Sequence, residues 1–234
     1  MVSETESIAE PRIPLSRERV FRAAINVADE GGIESLTMRK LAKELGVEAM
    51  SLYYHVANKK AVLDGVADAI LGEIEEAVGG FDVPSDGVDW KATLRRRILT
   101  AREVMLRHPW APGLLETRTT MSFAMARYFD TLLGILREGG LSYHLAHNAM
   151  HAIGSRALGF TQEMFVPDDP EAEEEANLVM LEQMAEQLPY IVGMMVEVSH
   201  DNPDSALGWC DDQTEFEFGL DLILDGLERL LDKT

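Results

Sequence analysis

Two short helix-like runs meet at a glycine in the stretch TMRKLAKELGVEAMSLYYHVANKK, residues 37–60, and that junction constrains the fold more than any other feature of the chain. Gly46 can take a positive φ without a Cβ clash, so the chain can turn sharply there. Ala42 is small enough to let the two runs cross closely. Leu41, Leu45, Val47 and Leu52 are spaced to hold both runs against a preceding helix. Together these residues predict a helix-turn-helix over residues 38–57. Its second helix, residues 49–55, is left with few inward duties.

The flanking sequence supplies the partners. Val20, Ala24 and Val27 form one apolar row and Phe21, Ile25 and Ala28 its neighbour, predicting a first helix over 17–30. Ser16 is placed as its N-cap, Leu15 can staple onto Val20, and Gly31 and Gly32 end it. The second helix spans residues 37–45. Asn58 caps a fourth helix over 59–78, carrying Val62, Leu63, Val66, Ile70 and Ile74. The Gly-, Pro- and Asp-rich stretch GGFDVPSDGVD, residues 79–89, is the clearest boundary. Beyond it, helical patterns cover residues 90–107, 113–116, 121–138, 142–165, 171–188 and 214–232. No convincing β-alternation and no fixed repeat interrupts them. The expected fold class is all-α: an N-terminal three-helix DNA-binding domain and a larger helical domain, about ten helices in all.

Charge is distributed unevenly. The 234-residue chain carries a formal net charge of −20, yet residues 1–60 balance nine Lys and Arg against nine Asp and Glu. Within residues 37–60 five basic side chains face two acidic ones. A basic segment on an acidic body suits a polyanion met end-on, and acidity elsewhere also serves solubility. No apolar run approaches the roughly 20 residues that span a bilayer, so no membrane partner is expected. The polar start MVSETESIAEPRIP reads as a disordered arm over residues 1–14, not a secretory signal. One cysteine, Cys210, excludes an intramolecular disulfide framework and fits a cytoplasmic location.

The residue types of the second run fit a nucleic-acid surface. Ser51 can bond a phosphate or a base edge. Tyr53 and Tyr54 offer hydroxyls to phosphates and ring faces to sugars or thymine methyls, and His55 can donate to a phosphate oxygen. Lys59 joins its charge to the free N–H groups opening the fourth helix. Thr37 and Arg39 open the second helix toward the same duplex. The alternative is that Tyr-Tyr-His packs onto the first and fourth helices, and amphipathic rings allow one tyrosine to be partly core.

The segment GGIESLTMRKLAKELGVEAMSLYYHVANKKAVLDGVADAIL resembles the N-terminal domain of the TetR family of bacterial transcriptional repressors. LYYHVANKKAVLDGV is similar to the tetracycline-repressor branch, and EFEFGLDLILDGLERLL to that branch's last helix. The resemblance implies that Thr37, Arg39, Ser51, Tyr53, Tyr54, His55 and Lys59 touch double-stranded DNA. It implies that Met38, Ala49 and Met50 contribute to base choice. Ala49-Met50 stands where that branch often has Gln-Pro, so no operator sequence carries over. The implied domains are 15–60 for DNA binding, 61–78 as a connecting helix and 79–234 for ligand binding and dimerisation.

The body is rich in adaptable apolar side chains: Met105, Met121, Met125, Met150, Met164, Met180 and Met184, with Trp110, Phe123 and Phe129 as aromatic walls. Such residues are ordinary core as readily as cavity lining. The resemblance implies a small-molecule effector among the fifth to eighth helices, touching Trp110, Leu114, Arg118, Met125, Phe129, His147, Met150, His151 and Ser155. Leu114 and Ser155 stand where tetracycline repressors place histidines that hold a magnesium–drug complex. The effector is therefore expected to be more apolar, with Arg118 or Arg156 available for an acidic group. His147 and His151 are four apart on one helix face, but no third ligand completes a set, so neither metal nor cofactor is expected.

Phe216, Leu220, Ile223, Leu227 and Leu230 step by four and three, a seam for another helix, with Gly219 and Gly226 allowing close approach. Spacing alone leaves open whether that helix is internal or a partner's. The resemblance implies a homodimer interface of the eighth and last helices, with Leu158, Phe216, Gly219, Leu220, Ile223 and Leu227 at it. No nucleophile elbow, phosphate loop or metal set is visible, so no enzyme is expected. The reading is a ligand-responsive repressor that binds a palindromic operator as a homodimer and is released by a small, largely apolar molecule. The alternative is a constitutive dimeric DNA-binding protein without an effector.

Overall fold

The computed structural model describes residues 14–79, 89–159, 187–197 and 212–232. Residues 1–13 of the expected arm, residues 171–186 of the predicted ninth helix, Met164, Met180, Met184 and Cys210 lie outside these. The chain divides into two compact units, Met1–Ile70 and Leu71–Thr234. Among the described residues there is no strand.

The first unit is built from local signals. Ser16 Oγ accepts from Arg19 N at 3.2 Å and opens α1 (Arg17–Gly31), which Gly32 closes at φ 74°. A 3-10 turn, Ile33–Ser35, leads to Thr37, whose hydroxyl accepts from Lys40 N at 3.1 Å and caps α2 (Met38–Leu45). Gly46 adopts φ 65°, and two bonds close the turn: Gly46 N–H to Lys43 O at 3.1 Å and Val47 N–H to Ala42 O at 3.0 Å. This is the paired closure of a helix ending on a left-handed glycine. Val20, Ala24, Leu41 and Leu52 are fully enclosed, so α2 and α3 (Ala49–Leu52) are seated as the spacing requires.

The helical part of α3 is shorter than expected. It stops at Leu52, and the chain continues through His55 as turns. Tyr53 N–H bonds Met50 O at 3.3 Å and His55 N–H bonds Leu52 O at 2.9 Å, both tighter than α-helical spacing. Val56, the next residue, is buried. Asn58 Oδ1 then accepts from Ala61 N at 2.9 Å and starts α4 (Lys59–Val78). The ring of Phe21 lies on Gly65, where a Cβ would stand 2.1 Å from it.

The second unit layers α5 (Trp90–Arg107), α7 (Phe123–Glu138), α8 (Tyr143–Gly159) and α10 (Asp212–Leu231), with α6 (Ala111–Glu116) against α8. Asp89 Oδ1 caps α5 through Lys91 N and Ala92 N at 2.9 and 3.2 Å. A further helix, α9 (Pro189–Glu197), is present where the sequence pattern gave no expectation. α10 is bound to α5 by charge: Lys91 meets Asp225 and Glu228 at 2.5 and 2.8 Å, while Arg95 meets Asp221 and Glu217 at 2.7 and 2.6 Å.

The apolar seam of α10 turns inward. Phe216, Leu220, Leu224 and Leu227 are buried within the chain. The cations of Arg102 and Arg156 stand 4.3 and 5.3 Å from the Phe216 ring centre. A Cβ on Gly219 would lie 2.7 Å from the Arg156 guanidinium, so that glycine admits an arginine of its own chain. As a dimer surface, Phe216, Leu220 and Leu227 therefore need correction: they have no apolar area left to offer a partner. Ile223 is half-buried. The outward face of α10 carries Phe218 and Leu222 instead, 65% and 58% exposed.

A candidate DNA-binding face and a candidate ligand cavity

In the first unit the short α3 presents its apolar and aromatic side chains to solvent. Met50, Tyr53 and Tyr54 are 71%, 45% and 89% exposed. Tyr53 is thus the more covered of the two tyrosines, and neither is core. Ala49, Ser51 and His55 are half-buried beside them, as are Met38 and Lys59, while Thr37 and Arg39 are exposed. All ten residues singled out in the sequence belong to the segment from the cap of α2 to the start of α4.

The cations of this segment differ in what they hold. Lys40 Nζ donates to Ser35 Oγ at 3.1 Å, and Lys60 pairs with Asp64 at 2.9 Å. Among the described residues Arg39, Lys43 and Lys59 form no ion pair. Cations without ion pairs and exposed aromatic rings in one short segment suit phosphates and sugar faces.

In the second unit a cavity of about 140 Å³ lies among α4, α5, α6, α7 and α8. Met125, Phe129 and Met150, three of the residues expected to touch an effector, line it. Trp110, Leu114, Arg118, His147, His151 and Ser155 do not. Leu114 is buried, but its neighbour Leu115 is the one at the wall. Arg118 Nε donates to Leu114 O at 3.2 Å, closing the end of α6. His147, His151 and Ser155 point to the exposed face of α8, with the two imidazole centres 4.6 Å apart. Leu158, expected at a dimer face, lines the cavity.

Sequence reasoning missed Leu94, Ile98, Tyr128, Leu132, Ile153 and Ala157, all of them at the wall. Their signal was present as inward apolar rows at helical spacing on α5, α7 and α8, yet such rows do not reveal whether they close on one another. The lining is apolar except for Tyr128, the only wall residue among those described with an O–H or N–H side-chain donor. Burial pushes the Tyr128 phenol up to about 12, with Arg97 lowering and Glu75 raising it by smaller amounts. The phenol is neutral at ordinary pH. Arg97 is itself buried, its Cζ 5.8 Å from the Tyr128 ring centre and its Nη2 paired with Glu75 of α4.

Comparison with known proteins agrees with both halves of this arrangement. The chain is 35% identical to the tetracycline repressor protein class D of Escherichia coli over 149 residues, 62% of this chain and 64% of that one. It is 30% identical over 216 residues to the tetracycline repressor protein class C of Escherichia coli, covering 92% of both chains. A TetR variant from Acinetobacter baumannii AYE, crystallised with minocycline, superposes with a TM-score of 0.64 at 26% identity, covering 92% of this chain and 94% of that one. The profile described as bacterial regulatory proteins, tetR family, matches residues 20–66, and that described as tetracyclin repressor-like, C-terminal domain, matches residues 83–231. With both profiles matched in order along one chain, and with an exposed helix-turn-helix in the one unit and an apolar cavity in the other, this protein belongs to the TetR family of bacterial regulatory proteins.

Proposed function

We propose that the protein is a cytoplasmic, homodimeric transcriptional repressor that reads a palindromic operator and is released by a small, mainly apolar effector. The observation that carries the DNA half is the exposure of Met50, Tyr53 and Tyr54 on a four-residue helix whose inward side is already satisfied by Leu52. Three large side chains are left outside at a cost in solvation that a partner surface would relieve. Tyr54, Arg39 and Lys59 then take backbone phosphates, while Ala49 and Met50 meet base edges by apolar contact.

The cavity supports the effector half. An apolar space of this order accepts a benzene-sized molecule without water inside it. Met125 and Met150 have the freedom to reshape around something larger. One unbroken helix, α4, carries Lys59 at its start and the wall residue Leu71 in its second half. An effector that binds one position of α4 better than another shifts the population toward it and changes operator affinity by the same differential.

The dimer is supported by the outward face of α10, where Phe218 and Leu222 are exposed, on a helix packed against α8. Two half-sites read together multiply the weak grip of one short helix.

Selection of bound DNA from a random pool by the purified full chain, followed by a screen for compounds that release it, tests the reading. Enrichment of a palindrome and its release by a small apolar compound is the expected result. Ala157→Phe, which fills the cavity from α8, should keep the operator and lose the response. Operator binding that no cavity ligand alters would favour the constitutive alternative.

A further inference from the structure

One polar group of the cavity wall is unspent, and a second unspent donor lies beside its ring. The Tyr128 hydroxyl makes no hydrogen bond among the described residues, although the ring is buried at the wall. Arg97 Nε, beside the same ring, is buried and has no partner among the described residues. A buried donor without an acceptor, as Arg97 Nε is, is costly, and the Tyr128 hydroxyl at the wall is likewise unpaired among the described residues. The opposite kind of group is committed: the Glu75 carboxylate is held by Arg97 Nη2. The phenol oxygen can also accept, but the Arg97 cation, its Cζ 5.8 Å from the ring centre, favours the Tyr128 hydroxyl as a donor. The charge at this end is balanced, since Glu75 neutralises Arg97, so nothing there favours a ligand anion. Every other wall residue is apolar or a thioether.

We infer that the effector is an uncharged aromatic molecule bearing a carbonyl, whose oxygen accepts from the Tyr128 hydroxyl while the ring lies among the leucine, isoleucine and methionine walls. The inference rests on the cavity being the effector site. It narrows the effector from apolar molecules in general to those with one buried acceptor. It also places the polar end against the α4–α5 ion pair, where ligand occupancy bears directly on the second half of α4.

Acetophenone and cumene are paired probes, alike in heavy-atom count and branching and differing in the carbonyl. Binding of each to the full-length protein is measured by calorimetry, with wild type and Tyr128→Phe compared. Acetophenone should lose about three- to tenfold in affinity on losing the hydroxyl, the worth of one net hydrogen bond. Cumene should change by less than about twofold, or gain, because phenylalanine keeps the wall and removes an unsatisfied group. The infrared carbonyl stretch of bound acetophenone should lie below its value in hexane and return toward it in the variant. An equal change for both probes, or a carbonyl stretch in the wild type no lower than in hexane, overturns the inference even if the variant folds poorly. Cumene binding with no carbonyl preference leaves the cavity as the effector site and removes only its polar end. Failure of both probes to bind removes the cavity reading and this inference with it.

Discussion

Single residues decide whether the DNA-facing segment exists and what it holds. Gly46 sits at φ 65° with no atom within 4 Å of where a Cβ would stand, so replacing it changes backbone strain alone. Gly46→Ala should cost about 1–2 kcal/mol in denaturant unfolding, and Gly46→Asn less, since asparagine tolerates the left-handed region. Equal losses from both would point to a packing role the geometry does not show. Tyr54 is the opposite case: 89% exposed, it contributes little to folding. Tyr54→Ala should leave unfolding within about 0.5 kcal/mol of wild type while weakening operator binding severalfold. Lys59→Ala should lower the slope of log affinity against log salt by roughly 0.9, the signature of one phosphate contact. Retained affinity in both variants would dislodge the assigned face. These positions were legible in the sequence because their causes are local. A glycine between two apolar runs, and Ser16, Thr37 and Asn58 before helices, act within four residues of themselves. What the sequence left open was Tyr53 against Tyr54, because amphipathic rings suit either side of a boundary.

At the scale of elements, the pairing of α5 with α10 shows how charge and packing share one interface. Lys91 and Arg95 lie one turn apart on α5 and meet four carboxylates spaced along α10. The Glu217 carboxyl is held below its ordinary range by the Gln213 amide and by Arg95, and Asp225 by Lys91. A carboxylate lowered in the folded state adds stability above its unfolded value, and that addition is lost as pH falls through the folded value. The melting temperature should therefore drop as pH falls below about 4.5 and toward 3. Lys91→Met with Arg95→Met should flatten part of that drop, and high salt should do the same. An acid profile unchanged by the double substitution would assign the lability to other carboxylates. A second junction is steric: a Cβ on Gly139, at the end of α7, would stand 2.4 Å from the Trp90 ring and 2.8 Å from its Cβ. The near end of a side chain cannot swing away, so Gly139→Ala should cost about 1–3 kcal/mol, read as a lower melting temperature. Neither junction was readable beforehand. Helix periodicity names an inward face but not the helix it meets, and the cavity drew its wall from five helices whose rows each look like ordinary core.

For the whole molecule, the decisive question is which surface makes two copies, and the last helix answers differently from its spacing. A four-three apolar seam says that a helix is met and says nothing of whose helix it is. Here Phe216, Leu220 and Leu227 meet their own chain, with Arg102 and Arg156 on the Phe216 ring. Phe218 and Leu222, four apart on the outward side, remain exposed and form the face proposed for the partner copy. The two faces of one helix thus separate two outcomes that a seam mutation would otherwise confound. Leu222→Glu should keep the monomer's fold and melting cooperativity but shift the protein to monomer in sedimentation. Operator affinity should then fall by about 10²-fold or more, because the second recognition helix no longer binds from high effective concentration. Leu220→Glu forces a carboxylate into a fully buried apolar position and should unfold the second unit or greatly lower its melting temperature. If instead Leu222→Glu stayed dimeric on the full operator and Leu220→Glu gave a folded monomer, the inward assignment of the seam would be reversed. Because both substitutions are the same chemical change two residues apart on one helix, helix propensity and added charge cancel in the comparison. What is left is the identity of the surface each side chain meets.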